Sequence, residues 1–121
     1  MNEDLYGLWC RETDLRYSYG ITLEQYNAMA AKQGGGCAVC GQSPRGTGLN
    51  QKRLHVDHDH SCCSGKKKTC GRCLRGLLCS NCNIAMGLLN DDPEKLRALA
   101  SYLEDYSKVV IANAVDCKEI Q

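Results

Sequence analysis

All three histidines of this 121-residue chain fall in one run, His55-Val56-Asp57-His58-Asp59-His60, which lies between two Cys-x-x-Cys pairs, Cys37/Cys40 and Cys79/Cys82. Each pair can offer two thiolates to one ion. Four thiolates make the full tetrahedral set of a structural zinc, with no position left for a substrate. The His/Asp run offers different chemistry. A neutral imidazole can take a proton from water, and a carboxylate with an amide oxygen can hold a hard divalent cation. His58 supplies the imidazole; Asp57 and Asn83, the residue directly after the second pair, supply the oxygens. Hydrolysis of a phosphodiester needs an activated water, a neutralised phosphate and a stabilised leaving 3′ oxygen. This set can meet those needs with Mg2+ or Mn2+.

Other readings of the same residues stay open at this level. His58 and His60 lie two apart and would share one face of a strand, so they could ligate another structural zinc, although oxygen-rich surroundings suit a harder cation. His55 and His60 read as residues that orient the site or touch phosphate, and Asp59 as a solvated partner. Asp57 and His58 would point to opposite faces of a regular strand, so a shared site requires a bend between them.

Between the run and the second pair lies Ser61-Cys62-Cys63-Ser64-Gly65-Lys66-Lys67-Lys68-Thr69-Cys70-Gly71-Arg72-Cys73. Cys62, Cys63, Cys70 and Cys73 form a second candidate zinc set, with a disulfide or free thiols as alternatives. A zinc there would stiffen a loop that displays Lys66, Lys67 and Lys68. Cys10 and Cys117 have no such spacing and read as ordinary small residues.

Charge is uneven along the chain. Between Arg45 and Arg75 there are eight basic residues, and the only acids are Asp57 and Asp59, so a chain of net charge +1 is strongly basic around the His/Asp run. That suits a phosphate backbone, and Lys66, Lys67, Lys68, Arg72 and Arg75 are the candidate DNA contacts; a solvated lysine loop is the plainer reading. Ten cysteines could instead mark a secreted disulfide scaffold. The acidic start Met1-Asn2-Glu3-Asp4, the lack of an apolar run of signal or membrane-spanning length and the Cys-x-x-Cys spacing favour zinc, a reducing cytoplasm and no membrane partner.

The flanking elements must deliver these groups. Phe is absent and Trp9 is single, and the stretch from Gly34 to Cys73 is too polar to condense by apolar burial, so metal–thiolate bonds are expected to hold it. Residues 1–20 show no clean period and read as a short helix or an arm. Thr22-Leu23-Glu24-Gln25 is a capping box that opens a helix over Leu23–Gln33, stopped by Gly34-Gly35-Gly36 at the first knuckle. Leu54–His58 alternates as a strand, Arg75–Cys79 is its return, and Asn83–Leu89 has helical composition. Asp92-Pro93-Glu94 opens a last helix, with Leu96, Leu99, Ala100, Leu103 and Tyr106 as its buried stripe. Val109-Val110-Ile111 in the tail reads equally as strand or helix. The class is therefore α+β, small and zinc-stabilised. It divides into an N-terminal arm and helix (1–33), a zinc-stapled core (34–90) and a C-terminal helix and tail (91–121).

The run His55–His60, together with Leu74-Arg75-Gly76-Leu77-Leu78-Cys79-Ser80-Asn81-Cys82-Asn83, resembles the recombination endonuclease VII family of phage His-Me finger (HNH-type) nucleases. Tyr19-Gly20-Ile21-Thr22 with Tyr26, and Asp91-Asp92-Pro93-Glu94, extend the likeness over about residues 19–106. The resemblance implies a ββα-metal core flanked by helices. In it Asp57 and Asn83 would bind the catalytic Mg2+, His58 would be the general base and His60 would assist near the phosphate. It implies DNA, branched DNA included, as substrate, inside a phage-infected or prophage-carrying bacterial cell, and leaves a homodimer open. One departure is Met86, where the family pattern often carries an acid. A zinc-dependent nucleic-acid-binding module without catalysis is the alternative function, separated from the first by the Asp57/His58/Asn83 set.

Overall fold

The computed structural model describes residues 3–44, 53–63, 69–106, 112, 113, 115 and 118, with backbone alone for 3–10. Lys66, Lys67, Lys68, the Val109–Ile111 segment and Cys117 lie outside the described residues, as does the Cys10 side chain. Among the described residues there are four helices and one two-stranded sheet, in the order α1 (Glu3–Tyr19), α2 (Leu23–Lys32), β1 (His55–His58), β2 (Leu74–Leu78), α3 (Ser80–Leu88) and α4 (Pro93–Asp105). The class is α+β, and β1, β2 and α3 give the expected ββα order.

The segment expected to be a short helix or arm is a 17-residue helix, α1. Among its described side chains, Leu15 is wholly buried and Tyr19 packs against the core from the last turn. Tertiary contact therefore supports this helix more than periodicity does. The Arg11 guanidinium lies 4.4 Å from the centre of the Tyr26 ring and ties α1 to α2. Gly20 at φ 69° ends α1, its N–H donating to the Arg16 carbonyl at 3.1 Å.

The α2 capping box forms as the sequence predicts. The Thr22 hydroxyl accepts from the Gln25 N–H at 3.1 Å, and the Gln25 side-chain oxygen accepts from the Thr22 N–H at 2.8 Å. Tyr26 is buried on α2, and its hydroxyl donates to the Leu54 carbonyl at 2.7 Å, anchoring the chain just before β1. Gln33 caps the helix and Gly34 and Gly35 follow in left-handed conformations, at φ 68° and 80°. Gly36 matters differently: a Cβ there would collide with the Gly41 carbonyl across the first knuckle.

β1 and β2 pair antiparallel, His55 with Leu78, Val56 with Leu77, Asp57 with Gly76 and His58 with Leu74. Two strands alone are marginal; here α2 and α3 cover them. The Gln33 amide works as a substitute strand partner. Its nitrogen donates to the Leu77 carbonyl at 2.9 Å while its oxygen accepts from the Leu77 N–H at 3.0 Å. The core consists of Leu15, Ile21, Tyr26, Cys37, Leu54, Val56, Leu77 and Leu78.

Two expectations need correction. α3 begins at Ser80, not Asn83, because the Cys79 sulfur caps it by accepting from the Cys82 N–H at 3.4 Å; the second knuckle is also the first turn of the helix. The stripe on α4 is not buried. The helix starts as predicted, with the Asp92 carboxylate accepting from the Glu94 N–H and Pro93 in first position, yet no α4 residue is buried. Leu99, Leu103 and Tyr106 are exposed, at 51%, 66% and 64%, as is Tyr102. The apolar period forecast a helix correctly, but it does not say against what the helix packs.

Candidate active site

Four sulfurs meet where α2 ends and α3 begins. Cys37, Cys40, Cys79 and Cys82 place one sulfur each within 4.8 Å of all the others, and Cys40 and Cys79 are 3.8 Å apart. A ZnS4 tetrahedron with Zn–S bonds of about 2.3 Å has S···S edges of about 3.8 Å, so the cluster can hold zinc. The Val39 N–H donates to the Cys37 sulfur at 3.4 Å, as the Cys82 N–H does to that of Cys79. Burial opposes ionisation of Cys37, but backbone N–H groups at Cys40, Cys79 and Val39 outweigh it and bring the thiol down to about 6. Burial, then the Cys79 sulfur, pushes Cys82 up to about 12. Cys37 thus ionises easily and Cys82 does not, a condition that a bound cation relieves. A second tetrad, Cys62, Cys63, Cys70 and Cys73, meets the same distance limit nearer the surface.

The His/Asp run occupies β1 and the turn after it. On β2, Arg75 falls between Gly76 and Leu74, the partners of Asp57 and His58, so the register slips between those two residues. This is a β-bulge with Arg75 as the extra residue, so the kink falls on β2, opposite Asp57 and His58. Arg75 then donates to both oxygens of the buried Asp57 carboxylate, at 2.8 Å each, and to Asp91 at 3.2 Å. Asp91 in turn meets Nδ1 of His60 at 2.6 Å. The His60 ring stands edge-on to His58 with centroids 4.5 Å apart, and the Tyr19 ring lies 6.1 Å from His58 on another side. Burial first, and then the charge of His60, hold the His58 pKa below its ordinary value, so the ring is neutral at pH 7. Its Nδ1 is buried with no hydrogen-bond partner among the described residues.

Asn83 is half-buried in the first turns of α3, and that helix packs on both strands. Asp59 is exposed and caps its own turn, accepting from the Ser61 N–H and hydroxyl at 2.9 and 2.6 Å. Arg72 is exposed. His60, Gly87, Asn90 and Asp91 line a hollow of about 400 Å³ beside the imidazole pair.

A divalent ion is compatible with this donor set. Two carboxylate oxygens carry about four lone-pair positions; Arg75 takes two of those on Asp57 and leaves the outer ones. Asp91 and Tyr19 are site neighbours that the sequence reading missed. The Asn90-Asp91-Asp92-Pro93 turn carries a signal for a helix start, and that signal is spent on Asp92. The role of Asp91 depends on Asn90 and Asp91 both adopting left-handed conformations, φ 57° and 55°, and on the Asp91 N–H bonding the Met86 carbonyl at 2.9 Å. A carboxylate thereby returns to the site although position 86 supplies none.

The sequence profile of the recombination endonuclease VII family matches residues 12–105. Over 93 residues, 76% of this chain, the protein is 42% identical to the gene 59 protein of Mycobacterium phage D29. It is 39% identical, over the same length, to the gene 59 protein of Mycobacterium phage L5. Those alignments cover 48% and 49% of the two phage proteins, so the chain spans about half the length of the curated relatives it matches. The matched region holds both cysteine tetrads, the bulged hairpin and α4, and by this measure the chain belongs to the recombination endonuclease VII family.

Proposed function

We propose that the protein is a metal-dependent DNA endonuclease of the HNH (His-Me finger) type, hydrolysing phosphodiester bonds. Family membership supports the reaction class, and one set of contacts supports the residue roles: Asp57 is joined through Arg75 and Asp91 to His60, whose ring lies against His58.

His58, held neutral by its surroundings, is the proposed general base that takes a proton from the attacking water. His60, bound to Asp91 at 2.6 Å, is proposed to sit against the phosphate, with Asp91 fixing the ring's orientation. Asp57 and Asn83 are the proposed ligands of Mg2+ or Mn2+, which when bound would neutralise charge on the phosphate and the leaving 3′ oxygen. Arg72 and Arg75 are proposed to contact the DNA backbone, with Lys66, Lys67 and Lys68 outside the described residues. The Cys37/Cys40/Cys79/Cys82 zinc has a structural role in this reading: it clamps α2 to the start of α3, and so holds Asn83 against the hairpin. The exposed apolar face of α4 fits a homodimer contact, which sedimentation of wild type against Leu103→Glu tests.

A plasmid-nicking assay decides the central reading. Supercoiled plasmid should be cut with Mg2+ or Mn2+, and His58→Ala should slow cutting by about 10²-fold or more. Cutting that is indifferent to this change, or no cutting with any divalent ion, overturns it. Retarded plasmid with no cutting would instead support a zinc-dependent binding module.

A further inference from the structure

The second cysteine cluster lies outside the proposed chemistry, and its geometry matches that of the first. Cys62, Cys63, Cys70 and Cys73 bring one sulfur each within 4.8 Å of all the others. The Cys62 and Cys70 sulfurs are 3.8 Å apart, the same separation as Cys40 and Cys79. That is the edge of a zinc–thiolate tetrahedron and far from a disulfide bond of about 2.05 Å. The knuckle also repeats. The Arg72 N–H donates to the Cys70 sulfur at 3.4 Å, as the Val39 N–H does to that of Cys37. The other half is built by the turn after β1, where the Cys62 N–H donates to the Asp59 carbonyl at 3.1 Å. The Asp59 N–H donates to the Cys73 carbonyl at 2.9 Å and joins the two arms.

Apolar burial does not explain this convergence. Cys62 and Cys70 are exposed and Cys63 and Cys73 only half-buried, and none of the four belongs to the core. Four soft sulfur donors without a carboxylate or imidazole among them select a thiophilic tetrahedral ion.

The cluster is fastened to a particular place. Next to it, the Thr69 N–H donates to the Ser18 carbonyl at 3.0 Å and its hydroxyl to the Tyr19 carbonyl at 2.9 Å. Gly71, at φ 80°, passes so close to Gly20 that a Cβ at 71 would stand 2.9 Å from the Gly20 carbonyl oxygen. The knuckle is therefore seated on the corner between α1 and α2, whose Tyr19 ring faces His58.

We propose that Cys62, Cys63, Cys70 and Cys73 bind a second structural Zn2+, which fastens the segment after β1 to the α1–α2 corner and so holds Tyr19 beside His58. The metal site rests on the cysteine geometry and stands whether or not the protein cuts DNA; Tyr19 is a positioning residue.

The test starts from the full chain purified without added chelator. Elemental analysis should give two zinc ions per chain, and the double variant Cys70→Ser/Cys73→Ser should give one. Should that variant not fold, wild-type stoichiometry still decides, read together with the Co2+-substituted protein, whose thiolate charge-transfer absorption should correspond to two four-sulfur sites. One zinc per chain with the Cys62, Cys63, Cys70 and Cys73 thiols reacting at once with a thiol reagent overturns the site, as does a mass lowered by disulfide formation or iron in place of zinc. For the positioning half, loss of the second zinc should speed Thr69 amide exchange and remove the proton contact between the Tyr19 and His58 rings in NMR spectra. Both unchanged in a one-zinc variant would overturn that half.

Discussion

Arg75 grips Asp57 with two parallel hydrogen bonds of 2.8 Å, and it does so from the one residue of β2 that has no partner on β1. The bulge and the ion pair are one device. The extra residue kinks β2 at this point, and its own side chain neutralises the carboxylate that is buried opposite it.

Replacing Arg75 by Gln should therefore cost stability, because it strands a carboxylate that is 7% exposed. Loss of one partner from a fully buried pair costs about 3–5 kcal/mol. Arg75 is 39% exposed, so solvent screening lowers the expectation to about 1–3 kcal/mol. Arg75→Lys should recover part of the loss, since it keeps the charge without the paired geometry. Urea unfolding at pH 7 with zinc content matched between variants measures this.

Asp91 sets a pH dependence. The hydrogen bond with His60, and then Arg75, hold its carboxyl below the ordinary value. A folded-state pKa below the unfolded one adds stability that is present above the unfolded value and lost as pH falls through the folded value. The stability difference between wild type and Asp91→Asn should thus shrink as pH falls below about 4, where an unfolded Asp begins to protonate. A difference that grows below about pH 4 would contradict the pairing.

The triple glycine offers a contrast between neighbours. Gly35→Ala meets no atom within 4 Å and bears only the left-handed backbone at φ 80°, a cost of about 1 kcal/mol. Gly36→Ala drives a methyl into the Gly41 carbonyl and should open the first knuckle. The expected result is near-normal zinc content in the first variant and loss of one zinc per chain in the second, measured after dialysis against a weak chelator.

The first tetrad should bear the fold of its neighbourhood. Cys40→Ser leaves the other three sulfurs without their full set, and since metal binding and folding are coupled in such sites, helical circular dichroism and one zinc per chain should fall together. Zinc lost with an unchanged spectrum would show that α2, the hairpin and α3 hold without it.

Much of this protein is written in short-range spacing. Cys-x-x-Cys pairs, the Thr22/Gln25 box and the Asp92-Pro93 start each involve residues within a few positions of one another, and their chemistry is complete locally. The sequence therefore determined the first tetrad, three of the helices and both strands to within a few residues. Tertiary structure alone decided the rest. α1 meets the core through Leu15 and Tyr19, α3 starts early because a cysteine sulfur caps it, and the α4 stripe stays largely exposed. The chain Asp57–Arg75–Asp91–His60 joins residues up to 34 positions apart. It exists only once a one-residue bulge fixes the hairpin register, which pattern in a sequence does not specify.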